Sequence, residues 1–227
     1  MRIAVLSSGG KDSSAAWWWA MCRGWDVVAV VTVDVQDGDS HMFQVPSTQW
    51  VQKQAELAEL PWIDVPAFGS VEDEIGALES SLAQLEIDAL VSGALRSDFQ
   101  KQRLECMCQR LGIRSYSPLW HQTPIEHLRG MIEAGFEIML TSVSCEGLDH
   151  NWLGRVLDKK SLKELQELST KHRLFVWALI ISSAASNACL ANFSAPTPSI
   201  MIILARSSSS SSLNFSRCGS FSSKTSL

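Results

Sequence analysis

The sequence predicts an α/β fold with a doubly wound parallel sheet of five strands. Three observations support this prediction. Short apolar runs alternate with helical stretches, glycines end several of those stretches, and a glycine-rich turn joins the first run to the first stretch. Parallel strands are covered on both faces and are therefore apolar along their whole length, as these runs are. A series of β-α-β units with regular connections produces this type of sheet.

The elements follow in order along the first half of the chain. The predicted strands cover residues 3–6, 27–33, 62–65, 87–91 and 113–116. The predicted helices cover residues 13–23, 48–60, 71–85 and 97–111. Ser47 or Thr48 is the expected N-cap of the second helix, because both carry a hydroxyl group and directly follow Pro46.

A second segment begins near Pro118. Beyond it the alternation continues with a predicted helix at 124–134, a strand at 136–143 and a charged helix at 161–170. We therefore expect one domain at residues 1–118, followed at residues 119–172 by the start of a smaller α/β domain that is incomplete.

Residues 173–227 differ in composition from the rest of the chain. They contain no Asp or Glu, six consecutive serines, and no charged residue at 174–205. Pro196 and Pro198 disfavour a membrane anchor, and a disordered serine-rich tail does not account for the apolar runs. A shift of reading frame just after His172 explains both features, so we interpret this tail as non-native.

Charge and cysteine content limit the expected partners and location. A net charge of −5 argues against a general nucleic-acid-binding or membrane-surface protein, because both need clustered Lys and Arg. The six cysteines have no regular spacing, and the N-terminus lacks the pattern of a signal peptide. We therefore expect a cytoplasmic protein with reduced thiols.

The strongest functional signal is the phosphate loop, which we define as Ser8–Ser13. It follows a predicted strand and precedes a predicted helix, as a phosphate-binding turn must. Gly9 and Gly10 let backbone N–H groups approach an anion, because no Cβ atom intervenes. The helix N-terminus adds a partial positive charge, Lys11 adds a full one, and the first and last residues of the loop add hydroxyl donors.

Asp12 distinguishes this loop from commoner nucleotide-binding motifs. A Walker A loop requires glycine at the position of Val5 and Ser or Thr at the position of Asp12. A dinucleotide fingerprint requires a glycine spacing that this segment lacks. A carboxylate beside polyphosphate is repulsive unless a cation lies between them, so Asp12 predicts Mg²⁺. Its alternative role, compatible with the first, is the N-cap of the helix.

The phosphate loop and four further motifs carry a family resemblance. The loop matches the Ser-Gly-Gly-x-Asp-Ser motif of N-type ATP pyrophosphatases. The four further motifs lie at residues 39–44, 93–103, 118–120 and 147–155. With these motifs in their order and spacing, the chain resembles the diphthine–ammonia ligase family over residues 1 to about 172, although Phe99 stands where the family has Tyr.

The resemblance implies a HUP-type domain, similar to adenine nucleotide alpha hydrolases, within an ATP-dependent ligase that forms carbon–nitrogen bonds. The implied reaction amidates the carboxylate of diphthine on elongation factor 2 with ATP and ammonium, and releases AMP and pyrophosphate. Lys11 and Asp12 would be catalytic. The family also has an acidic glycine-rich segment beyond position 172 that helps to complete the active site. This chain lacks that segment, so the resemblance does not determine whether the chain turns over ATP. The implied ATP-binding residues are Ser8, Gly9, Gly10, Lys11, Asp12, Ser13 and Gly93.

Six further side chains are implied to bind the substrate, and each has a structural alternative. Ser97, Gln100 and Arg103 recur at helical spacing near the end of the fourth predicted strand, where α/β sheets bind ligands, but a solvated helix face has the same pattern. His41 is by default a polar loop residue. Trp152 and Arg155 either contact the substrate or anchor a loop on the core.

Two other functions stay open. The chain could be a tRNA-modifying enzyme that adenylates a base carbonyl, although the acidic balance of residues 1–172 argues against a large RNA footprint. It could also be an ATP-binding protein without turnover. Release of pyrophosphate distinguishes the enzymes from the binding protein.

Overall fold

Five parallel strands form the centre of the protein. The computed structural model describes residues 1–36, 40, 42–43, 48–140 and 148–172. All neighbouring strands pair in parallel, in the order β3-β2-β1-β4-β5. This confirms the predicted fold class. The strands are β1 (Arg2–Leu6), β2 (Asp26–Val35), β3 (Trp62–Ala67), β4 (Ala89–Ser92) and β5 (Arg114–Tyr116).

Six α-helices and one short 3₁₀ helix surround the sheet in the part of the chain that is described. The 3₁₀ helix covers His150–Trp152. None of these helices has the length and apolar character that a membrane span requires. The helices are α1 (Lys11–Cys22), α2 (Gln49–Leu57), α3 (Val71–Leu82), α4 (Asp98–Leu111), α5 (Pro124–Glu133) and α6 (Lys159–His172).

The sheet separates two hydrophobic cores, because successive side chains of a strand point to opposite faces. Ile3 and Val5 lie in the core that also contains buried residues of α1, α2, α5 and α6. Ala4, between them, lies in the other core with buried residues of α3 and α4. Both faces of β1 and β4 are covered, which explains why their sequences are apolar without alternation.

The order of the strands reverses next to β1. The chain runs outward from β1 through β2 to β3, and then returns to form β4 and β5 on the other side. Ligands of open α/β sheets bind outside the carboxyl ends of the strands at such a reversal. The phosphate loop begins directly after β1, so the topology places it at this position.

Residues 124–172 pack against α1 rather than extending the sheet. Leu128 and Met131 of α5 and Leu165 of α6 are at most 2% exposed and share the core of α1. The predicted strand at 136–143 is wrong for residues 136–140. That segment forms only an isolated antiparallel bridge, between Met139 and Val156, among the described residues.

The reason for this error is local. Phe136, Ile138 and Leu140 alternate into the core and therefore have the pattern of a strand. Residues 154–157 nevertheless supply only a short partner, through bonds such as Leu157 N–H to the Ile138 carbonyl at 2.7 Å. Residues 141–143, the predicted loop residues 144–147, His41 and the tail at 173–227 lie outside the described residues.

Candidate functional site

The phosphate loop forms a tight turn between β1 and α1. Gly9 has a φ of 76°, in the left-handed region where a side chain would be strained. Gly10 is the N-cap of α1, with a φ of −82° and a ψ of 170°, and no side chain caps the helix. The first-turn N–H groups of a helix have no intrahelical acceptor. An uncapped N-terminus at the carboxyl edge of the sheet therefore suits an anion.

Gly93 lets β4 approach this helix closely. A Cβ atom at this position would lie 2.6 Å from the carbonyl carbon of Asp12 and 2.6 Å from the nitrogen of Ser13. These contacts are with backbone atoms, which cannot move aside easily. The family resemblance predicts that Gly93 binds ATP. Its close contact with the backbone of Asp12 and Ser13 also shows that it helps to position the phosphate loop.

Lys11 and Asp12 form a buried ion pair at the start of α1. The Nζ atom of Lys11 lies 2.6 Å from Oδ1 and 2.7 Å from Oδ2 of Asp12. Lys11 is only 5% exposed, whereas the side chain of Asp12 is 23% exposed. The alternative role of Asp12 as N-cap is wrong, because α1 begins at Lys11 and Gly10 occupies the cap position.

A third side chain, His127 of α5, completes this cluster. Its Nε2 atom lies 2.8 Å from Oδ1 of Asp12, and the ring is fully buried. Burial lowers the pKa of Lys11, although the charge of Asp12 opposes this shift. Burial acts to raise the pKa of Asp12, but the charge of Lys11 and the hydrogen bond from His127 hold that pKa below its ordinary value.

Two serines, Ser7 and Ser13, stabilise the turn itself. The Oγ of Ser13 donates to the carbonyl of Gly10 at 3.0 Å and accepts from the Oγ of Ser7 at 3.3 Å. The Oγ of Ser7 in turn accepts from the N–H of Gly9 at 3.2 Å. The family resemblance predicts that Ser13 contacts ATP, whereas Ser7 lies just before the motif. Both are buried in the base of the loop.

The predicted substrate residues at the start of α4 also have structural contacts. Ser97 is the N-cap of α4 and accepts from the N–H of Gln100 at 3.2 Å. The side-chain amide of Gln100 donates to the carbonyl of Met42 at 2.9 Å. The guanidinium of Arg103 lies over the ring of Phe99, 3.5 Å from its centroid. Gln100 therefore connects α4 to the loop that precedes α2.

The same loop is connected to α3 through a buried carboxylate. Ser40 donates to Oε2 of Glu74 at 2.6 Å and accepts from the N–H groups of Met42 and Phe43, both at 2.9 Å. Glu74 is only 3% exposed. His41, next to Ser40, lies outside the described residues, so its substrate role stays a prediction.

The comparisons with known proteins decide the family. Residues 1–115 match the family described as diphthamide synthase N-terminal domain, and residues 123–176 match the diphthamide synthase C-terminal domain. The chain belongs to the diphthamide synthase family. The phosphate loop lies in the N-terminal part of this family, and His127 lies in the C-terminal part.

Curated relatives agree with this assignment. The diphthine–ammonia ligase of Homo sapiens is 30% identical over 199 residues, which cover 78% of this chain and 74% of the relative. The enzyme of the same name from Danio rerio is 30% identical over 198 residues, covering 78% and 77%. That from Schizosaccharomyces pombe is 29% identical over 187 residues, covering 74% of this chain and 30% of a much longer relative.

Within this diphthamide synthase fold, Trp152 and Arg155 contact each other and the core. The guanidinium of Arg155 lies 4.4 Å from the centroid of the Trp152 ring and donates to Glu164 at 2.5 Å. Trp152 is 7% exposed and belongs to the core that contains α1. These contacts fit the anchoring alternative, and the substrate role stays a prediction.

Proposed function

We propose that this chain is an ATP-dependent amide ligase that transfers ammonia to the carboxylate of diphthine on elongation factor 2, with release of AMP and pyrophosphate. The observation that carries the proposal is the phosphate loop of a diphthamide synthase family member. Gly9 provides the left-handed turn, Gly10 leaves α1 without a side-chain cap, and Lys11 supplies a buried cation beside them.

The chemistry of amide formation requires such a loop. A carboxylate resists attack by ammonia because its oxygen is a poor leaving group, whereas adenylate is a good one. The loop would bind the polyphosphate through backbone N–H groups at the start of α1. Binding both reactants side by side removes much of the entropic barrier. A cation beside the phosphates stabilises the charge that develops on them.

In the structure described, Lys11 points to Asp12 and not to open solvent. Both carboxylate oxygens of Asp12 lie within 2.7 Å of the Nζ atom. For the ammonium group to reach a phosphate, it must exchange at least one of these contacts. We propose this exchange as the first response of the site to ATP.

Asp12 fits a magnesium ion that accompanies ATP. Its side chain is 23% exposed while Lys11 and His127 are buried, so an ion can approach the carboxylate from the open side. Mg²⁺ at nucleotide sites commonly takes one or two protein carboxylates together with phosphate oxygens and water. The bound ion would neutralise charge on the phosphates. Asp12 would then hold it, and Lys11 would face the phosphates.

The remaining assignments extend this proposal. Ser97, Gln100, Arg103, Trp152 and Arg155 would shape the acceptor site, at least by positioning the segments that surround it. We propose a cytoplasmic location, where the thiols of Cys106 and Cys108 would stay reduced.

Transfer of isotopically labelled ammonium tests the proposal directly. The chain is incubated with ATP, Mg²⁺, ¹⁵N-ammonium and elongation factor 2 that carries diphthine, and the acceptor peptide is analysed by mass spectrometry. The proposal predicts ¹⁵N in the diphthine-bearing residue of the acceptor, and none when ATP is omitted. Binding of ATP without label transfer or pyrophosphate release would instead identify a non-catalytic nucleotide-binding protein.

A further inference from the structure

His127 is the part of the site that sequence motifs do not predict. It lies on α5, 115 residues from Asp12 along the chain, yet its Nε2 atom is 2.8 Å from Oδ1 of that residue. The ring is 0% exposed. A fully buried imidazole in direct contact with a phosphate loop needs a physical explanation.

The hydrogen bond has a defined direction. The Nδ1 atom of His127 is buried and has no hydrogen-bond partner among the described residues. A proton on Nδ1 would be a buried donor without an acceptor, which is unfavourable. The proton therefore belongs on Nε2, and Nε2–H donates to the carboxylate of Asp12.

Packing holds the ring in this position. The neighbouring residues Leu128 and Met131 are each 2% exposed and lie in the same core as α1. The backbone N–H of His127 donates to the carbonyl of Thr123 at 2.9 Å, within the first turn of α5. The imidazole is therefore presented to Asp12 by a rigid element.

Asp12 has two protein donors with different freedom to move. Lys11 has a long flexible side chain and is also the cation that the polyphosphate would attract. If Nζ of Lys11 moves to a phosphate, the bonds at 2.6 and 2.7 Å to Asp12 are lost. The bond from His127 can stay, because the ring does not need to move.

We propose that His127 is a positioning residue that holds the Asp12 carboxylate in place when Lys11 turns from it to the polyphosphate. The bond reduces the cost of ATP binding, because Asp12 keeps a donor throughout. It also joins the two parts of the chain that match the N-terminal and C-terminal family domains. The inference rests on the proposed function, in which ATP is the ligand of the loop.

Binding of ATP to the full chain tests this inference without relying on turnover. The dissociation constant is measured by calorimetry with ATP and Mg²⁺, in the absence of ammonium and of the protein acceptor. His127→Leu removes the donor. His127→Gln places an amide N–H near the position of Nε2, whereas His127→Asn places its amide too far from Asp12.

We expect His127→Leu and His127→Asn to weaken ATP binding by about tenfold or more, as for a lost hydrogen bond to a charged group. For His127→Gln, we expect a dissociation constant for ATP within about threefold of that of the unsubstituted chain, because the amide keeps the hydrogen bond to Asp12. Leu82→Ala is the control for lost stability, because Leu82 of α3 is buried in the core on the other face of the sheet. It should lower the melting temperature and leave ATP binding unchanged, because it makes a cavity without touching Asp12.

Three results would overturn the inference. One is ATP binding by His127→Leu or, if that variant does not fold, His127→Asn at the affinity of the unsubstituted chain. Another is equal weakening by His127→Gln and His127→Asn. The third is weakening by Leu82→Ala as large as that by His127→Leu. A chain that bound no ATP at all would overturn the proposed function as well, which separates the two failures.

Discussion

Gly93, at the end of β4, lies directly against the backbone of Asp12 in the first turn of α1. An added Cβ would be 2.6 Å from the carbonyl carbon of Asp12 and 2.8 Å from its oxygen. This contact determines how closely the phosphate loop approaches the sheet. Gly93 therefore helps to determine the position of the loop, although it lies more than 80 positions from Asp12 in sequence.

Gly93→Ala is therefore expected to destabilise the protein and to displace the phosphate loop. Overpacking of this kind costs about 1–3 kcal/mol. Thermal or urea unfolding measures the loss, and calorimetry with ATP measures the effect on binding. Gly76→Ala, in α3, is the control, because an added Cβ there has no atom within 4 Å. It should stabilise the helix by about 0.5–1 kcal/mol. Equal effects of the two substitutions would contradict this account of Gly93.

Lys11 and Asp12 are expected to act on the rate more than on the fold. Loss of a group that stabilises charge in the transition state costs about 10²–10³ in turnover. Lys11→Ala and Asp12→Ala should each reduce pyrophosphate release by about that factor. Cooperative unfolding should be retained in both variants.

Lys53→Ala is the matched control for these two variants. Lys53 is exposed on α2 and pairs with Glu56 at 2.8 Å. Exposed ion pairs contribute little, about 0–1 kcal/mol. The control should therefore release pyrophosphate at the unsubstituted rate. Near-normal rates of pyrophosphate release in Lys11→Ala and Asp12→Ala would contradict the catalytic role of these residues.

Glu74 is expected to hold the loop that precedes α2. Glu74→Ala removes the acceptor of the Ser40 hydroxyl, a bond of 2.6 Å, and should lower the free energy of unfolding by about 1–3 kcal/mol. Hydrogen exchange should become faster at the amides of Met42 and Phe43, which donate to Ser40. Glu74→Gln keeps an acceptor and should behave like the unsubstituted chain.

Glu72→Ala controls for the loss of a carboxylate on the same helix. The side chain of Glu72 is 75% exposed and lies 3.8 Å from Arg103, so its removal should change stability by less than about 0.5 kcal/mol. If Glu72→Ala accelerated exchange at Met42 and Phe43 as much as Glu74→Ala, the specific role of the buried carboxylate would be wrong.

The fold and the phosphate loop could be predicted because their signals are local. Apolar runs, glycines at helix ends and the turn after β1 each lie within a few residues of one another. His127 and Glu74 could not be found in this way. A single histidine or glutamate on an amphipathic helix carries no spacing signal, and its function depends on a partner on another element. The same limit explains the strand wrongly predicted at 136–140, where alternating burial occurs without an extended strand partner.

The break in composition after His172 gives a prediction about the coding DNA. The match to the C-terminal family domain ends at residue 176, close to the point where acidic residues disappear. We propose a shift of reading frame there. Translation of the DNA in its other two frames just past the His172 codon should produce a continuation rich in Gly and Glu. If neither frame does so, residues 173–227 are the native continuation.

The bond of ATP that is broken tests the central claim most directly. The chain is incubated with ATP, Mg²⁺, ammonium and elongation factor 2 that carries diphthine, and the nucleotide products are separated by anion-exchange chromatography. The phosphate loop at Ser8–Ser13 predicts AMP and pyrophosphate in equal amounts, and Lys11→Ala should reduce both. Production of ADP and inorganic phosphate would contradict the account.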